Sequence, residues 1–149
     1  MQIIIDGDGC PVKDEVIEVG QKFQLPIILV TAISHFSQKY DAKDIKIVYV
    51  DNLKEMADYK IIELVQRGDL IITQDYGLAS LCLNKATVLH HSGKEFTVDN
   101  IDELLMTRYI HQQIRKKGGH HKGHPPFSQE DRQKFKNCLE QKLKQLLNT

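Results

Sequence analysis

The run IIIDGDGCPV, residues 3–12, decides the fold. Three isoleucines read as a buried strand, and Asp6 follows them at once in a glycine-spaced turn, Asp6-Gly7-Asp8-Gly9. Pro11 stands where a helix can begin, and Val12, Val16, Ile17 and Gly20 recur at helical spacing. Strand, acidic turn and helix in that order predict the first half of a βαβ unit. The same grammar returns at LIITQDYG, residues 70–77. There a continuous apolar strand leads to Asp75 and a short helix over 76–84, as expected of a central strand buried on both faces.

Outward from these two runs, apolar strands at 27–30, 45–50 and 86–90 alternate with helical patterns, the mark of a mainly parallel sheet. Asn52 with Glu55 resembles a capping box opening a helix over 53–67, with Gly68 as its stop. Asp99 is the expected cap of a long helix reaching about Lys116. GGHHKGHPPF, residues 118–127, has the composition of a loop, and Ser128 with Asp131 forms a further capping box. The helix behind it carries Phe135, Leu139, Leu143, Leu146 and Leu147 on one side, a stripe suited either to its own body or to a second copy. The organisation expected is one domain over 1–149: an α/β body to 116, a His/Gly/Pro-rich loop at 117–127, and a C-terminal helix at 128–149.

At 149 residues, 41% hydrophobic and 27% charged, the composition is that of a globular domain able to bury its own core. Three widely spaced cysteines, at 10, 82 and 138, offer neither a disulfide framework nor a CxxC zinc pattern, so a reducing cytoplasm is expected. No stretch approaches the length of a membrane span, and no membrane partner is expected. The net charge of zero hides an asymmetry. Residues 1–105 hold 10 basic against 17 acidic side chains, and residues 106–149 hold 10 against 3. Arg108, Arg115, Lys116, Lys117 and Lys122 fall in a stretch without acids, a candidate surface for phosphates or nucleic acid.

The carboxylates carry the chemistry. In open parallel sheets functional groups gather at the carboxyl ends of strands. If the first and fourth strands are neighbours, Asp6 and Asp75 face one crevice. Asp58, on the helix entering the fourth strand, is a third candidate, and Asp8 an accessory acid. Asp69 begins its strand and belongs at the opposite end. Carboxylates crowded together repel unless a cation or shared protons compensate, and an all-oxygen set favours Mg²⁺ or Mn²⁺. Such an ion can support displacement at phosphorus. Cys10 reads as a small packing residue of the turn, and the histidines at 120, 121 and 124 as part of an exposed loop.

IDGDGCPV at 5–12, MADYKIIELVQRGDLIITQD at 56–75 and SQEDRQKF at 128–135 resemble the YaiI/YqxD family of uncharacterised bacterial proteins, over nearly the whole chain. That family is similar in turn to the PIN/NYN nuclease-like folds. The resemblance implies a three-layer PIN-like fold, with strands in the order 3-2-1-4-5 and helices on both faces. It implies Asp6, Asp58 and Asp75 as catalytic, metal-binding acids of a nuclease acting on RNA. The alternatives are a non-catalytic module binding nucleic acid or protein, and a small-molecule phosphatase. The Asp6-x-Asp8 pair also resembles haloacid dehalogenase-type phosphatases, which need a later acidic pair just after a strand. Here Asp69 and Asp75 flank the strand instead.

Overall fold

Alternation within the first strand sets the layers. In a computed structural model describing residues 1–53, 55–116 and 126–148, β1 (Ile3–Asp6) has no exposed isoleucine. Ile3 and Ile5 point to one face of the sheet and Ile4 to the other, as a period of two requires. Both faces must therefore be covered by helices, and they are.

Parallel strands β2 (Ile27–Ala32) and β4 (Leu70–Ile72) flank β1, with Ile3 opposite both Ile27 and Leu70. β3 (Lys46–Val50) extends the sheet beyond β2, and β5 (Thr87–Leu89) beyond β4. The expected order 3-2-1-4-5 is thus the observed one, with an addition. A two-residue strand, β6 (Glu95–Phe96), pairs antiparallel with β5 at the edge. It falls between the sequence-predicted strand at 86–90 and the helix that follows.

On one face, α1 (Lys13–Lys22) and α5 (Gln129–Leu147) pack over Ile3, Ile5, Leu29 and Ile72. On the other, α2 (Met56–Leu64), α3 (Tyr76–Cys82) and α4 (Val98–Lys116) pack over Ile4, Ile28, Val30 and Ile71. Phe135, Leu139 and Leu143 of α5 are fully buried against this chain's own body. Ion pairs Arg132–Glu15 (3.1 Å), Lys136–Glu18 (2.7 Å) and Lys142–Glu95 (2.5 Å) fasten the helix along its length. Three residues of the stripe are thus buried within the chain, while Leu146 is half-buried and Leu147 exposed.

Two caps differ from expectation. Asn52 does not cap α2; its Oδ1 accepts from the Ser34 amide at 2.8 Å and so ties β3 to the loop after β2. Glu55 adopts φ 77°, and the helix begins after it, at Met56. It also ends early, at Leu64, and Gly68 serves the turn before β4, donating its N–H to the Lys85 carbonyl. At α4 the cap is Thr97 rather than Asp99: the Thr97 hydroxyl accepts from the Asn100 amide (3.2 Å), and Asn100 Oδ1 accepts from the Thr97 amide (2.9 Å). The box at Ser128 and Asp131 forms as expected. Among the described residues, no helix is long and apolar enough to cross a membrane.

Candidate functional site

Asp6 closes β1, and Asp75 lies three residues beyond the last residue of β4, the strand beside it. One hydroxyl connects them. Thr73 Oγ1 donates to Asp6 Oδ2 at 2.7 Å and accepts from the Asp75 amide at 3.0 Å. Asp75 Oδ1 in turn caps α3, accepting from the Leu78 amide at 3.1 Å. The capping bond fixes the carboxylate at the mouth of the crevice.

Gly7 lets the chain leave β1 hard against β2: its amide donates to the Val30 carbonyl at 2.7 Å. A Cβ there would stand 2.8 Å from that same oxygen, a distance side chains do not tolerate. The turn swings Asp8 away from Asp6 and towards the end of β2. Asp8 Oδ1 accepts from Thr31 Oγ1 (2.9 Å) and the Ala32 amide (3.2 Å), and meets His35 Nδ1 at 2.8 Å.

Asp58, in the first turn of α2, comes within hydrogen-bonding reach of Asp75. Arg108 of α4 approaches Asp75 Oδ1 from the other side, at 3.6 Å. The structure thus brings Asp6, Asp58 and Asp75 to one crevice of about 740 Å³, with Asp8 and Arg108 on its walls. Arg115 and Lys116 lie in the last turn of α4, Arg115 on an adjoining cavity. Lys117, Lys122 and the histidines at 120, 121 and 124 lie outside the described residues.

Burial sets the electrostatics, and crowding adds to it. Burial pushes the Asp6 carboxyl up to about 7, and the charges of Asp58, Asp8 and Asp75 add to the push against the pull of the Thr73 hydroxyl. Burial also raises Asp58, to about 6, helped by the charge and hydrogen bond of Asp75 and by Glu55; Arg108 opposes. For Asp8, burial is outweighed by the bonds from His35, Ala32 and Thr31, which hold it below the usual carboxylate range. Cys10 is a packing residue: it lies against the α1 face of the core, and burial pushes its thiol up to about 11.

Three contributors went unseen in the sequence. Asp51 follows β3 just as Asp6 ends β1, and it lines the same crevice. Its signal was the same one, an acid after an apolar strand. Glu55 also lines the crevice, where its spacing from Asn52 had suggested a cap. Thr73 had no signal, because its role exists only once β1 and β4 pair.

The donor set is all carboxylate oxygen, and its crowding is met by one arginine, which suits a hard dication in charge and chemistry. Among the described residues, no three such side chains yet close on a single point. The fit is one of composition and charge rather than of a finished cage.

Comparison with known proteins adds the lineage. The profile of the uncharacterised YaiI/YqxD family matches residues 4–145. A UPF0178 protein of Enterococcus faecalis is 49% identical over 148 residues, covering 99% of this chain and 100% of its own. Counterparts in Staphylococcus epidermidis (47% over 145 residues, 97% of each chain) and Bacillus cereus (50% over 137 residues, 91% and 94%) are equally similar. No solved structure matches significantly. From end to end of its α/β body and through its C-terminal helix, the chain belongs to the YaiI/YqxD family.

Proposed function

We propose that the chain is a Mg²⁺- or Mn²⁺-dependent nuclease of the PIN-like kind, hydrolysing phosphodiester bonds in RNA at the carboxyl ends of β1 and β4. The observation that carries this reading is the meeting of Asp6, Asp58 and Asp75 in one crevice, where burial and neighbouring charge hold back the ionisation of Asp6 and Asp58. Carboxylates perturbed by burial and a specific charge partner in a cleft mark candidate functional sites. Asp6, Asp58 and Asp75 would hold the ion, and Asp8 would act as an outer acid. When bound, the ion supplies a Lewis acid beside the phosphorus. Thr73 orients the Asp6 carboxylate, the α3 amide orients Asp75, and Arg108 offers a guanidinium to the phosphate oxygens. The resemblance to PIN/NYN folds, with the matching strand order, supports the same assignment.

Mn²⁺ should raise the melting temperature, and Asp6→Asn combined with Asp75→Asn should abolish that rise. Labelled RNA should be cleaved by rigorously purified protein, with a loss of more than about 100-fold on Asp6→Asn. An unchanged Mn²⁺ shift in the double variant, or cleavage that survives Asp6→Asn, overturns the reading.

One observation favours a second reading, a nucleic-acid-binding module without turnover: no three acids close on one point among the described residues. Salt-dependent RNA binding with no cleavage, indifferent to Asp75→Asn, would select it.

A further inference from the structure

On the far side of Asp75 a second cavity of about 980 Å³ opens. It lies between the Gly9–Pro11 turn, the start of α3, the β5–β6 turn, α4 and the segment entering α5. Gln74, Asp75 and Arg108 line both cavities, so the two are adjoining rooms with a shared wall. Their linings differ in kind. The crevice is acidic; the second cavity is lined by Arg108, Arg115, Tyr76, His90, His91 and Phe127.

Its two acids are already engaged. Asp131 Oδ2 accepts from the Ser128 amide at 3.0 Å within the capping box, and Asp75 caps α3. The guanidiniums are less committed. Arg108 has one long ion pair, and Arg115 has none among the described residues. Seven residues apart on one helix, they lie on one side of it, about 10 Å apart along its axis.

The rings that share the cavity pack against neighbouring rings. His90 and His91 sit 4.0 Å apart, His91 meets Phe127 edge-on at 5.4 Å, and Tyr76 meets Phe96 edge-on at 5.5 Å. Arg132 covers the Phe127 ring at 5.4 Å. Flat rings and two guanidiniums lining one cavity suit two chemistries at once, a planar heteroaromatic base and a phosphate.

We propose that this cavity is a nucleotide subsite, in which Arg108 and Arg115 take a phosphate and the wall of Tyr76, His91 and Phe127 takes the base. The occupant is a nucleoside monophosphate unit, one nucleotide away from the bond presented to the acidic crevice. Its place in a strand rests on the nuclease reading; the binding itself does not.

The experiment is calorimetric titration of the full chain with adenosine 5′-monophosphate, adenosine and inorganic phosphate, with EDTA present. The nucleotide should bind at least about tenfold more tightly than either fragment. Arg115→Gln, at an exposed position near the end of α4, and Phe127→Leu should each weaken it about tenfold. A nucleotide that binds no better than phosphate overturns the subsite, and so does one indifferent to Arg115→Gln. A short oligoadenylate should displace the mononucleotide; failure to displace it overturns the strand placement and leaves a free nucleotide as occupant. Because metal is withheld, the two readings fail separately. Nucleotide binding without cleavage defeats only the nuclease, and cleavage without nucleotide binding defeats only the subsite.

Discussion

Two buried aspartates stand at opposite ends of neighbouring strands, and they are built on opposite plans. Asp69 opens β4 at 4% exposure, and Asp6 closes β1 at 7%. Asp69 accepts from three donors: the Gln2 amide (3.2 Å), the Gln2 side-chain amide (2.9 Å) and the Gln66 amide (2.8 Å). Asp6 has the Thr73 hydroxyl and otherwise faces the charges of Asp58, Asp8 and Asp75. Near-equal burial thus comes with unequal supplies of hydrogen-bond donors. Asp69 is held by three donors from the chain around it, while Asp6 is kept short of them and burial pushes its carboxyl up to about 7.

Removing each acid should break this symmetry in opposite senses. Asp69→Ala strands three donors at the junction of the N-terminus and β4 and should cost about 3 kcal/mol in urea denaturation. A loss under about 1 kcal/mol would show that the donors find water instead. Asp6→Asn should do the reverse near neutrality. Its folded pKa of about 7 lies above the ordinary carboxyl value of 3.8, so the folded chain holds that proton more tightly. The associated stability is full below about pH 4 and is lost as pH climbs through 7. Asp6→Asn should therefore flatten this slope and gain about 2 kcal/mol at pH 8, read from denaturation curves across the range. An unchanged slope would place the strain elsewhere.

The finest contrast lies in the one donor Asp6 does have. Thr73→Val removes a bond that lowers its pKa, so the carboxyl should titrate still higher by NMR, with a stability change of about 1 kcal/mol. If the titration does not move, Thr73 serves Asp75 alone.

Much of this contrast was legible in the sequence. IIID and LIITQD announce their strands by apolar run, and parallel sheets collect function at one end, so Asp6 and Asp75 fell on one side and Asp69 on the other. What escaped reading depends on partners remote in the chain. Asn52 and Glu55 carry the spacing of a capping box, yet Ser34 claims the Asn52 carbonyl across the loop after β2. β6 is two residues long and exists through its ladder with β5, so no periodicity could reveal it. Thr73 gains meaning only from strand order, whereas Asp51 carried the readable signal of an acid directly after an apolar strand.

The placement of α5 has a consequence for synthesis. Among these elements β1 is made before the rest, its neighbour β4 comes far later, and the face bearing Ile3 and Ile5 is finished by Phe135, Leu139 and Leu143. A nascent chain must therefore hold this apolar strand unfinished until α5 has been made, a time when exposed strand edges are prone to stick. The first-made strand of the sheet is among the last to be sealed.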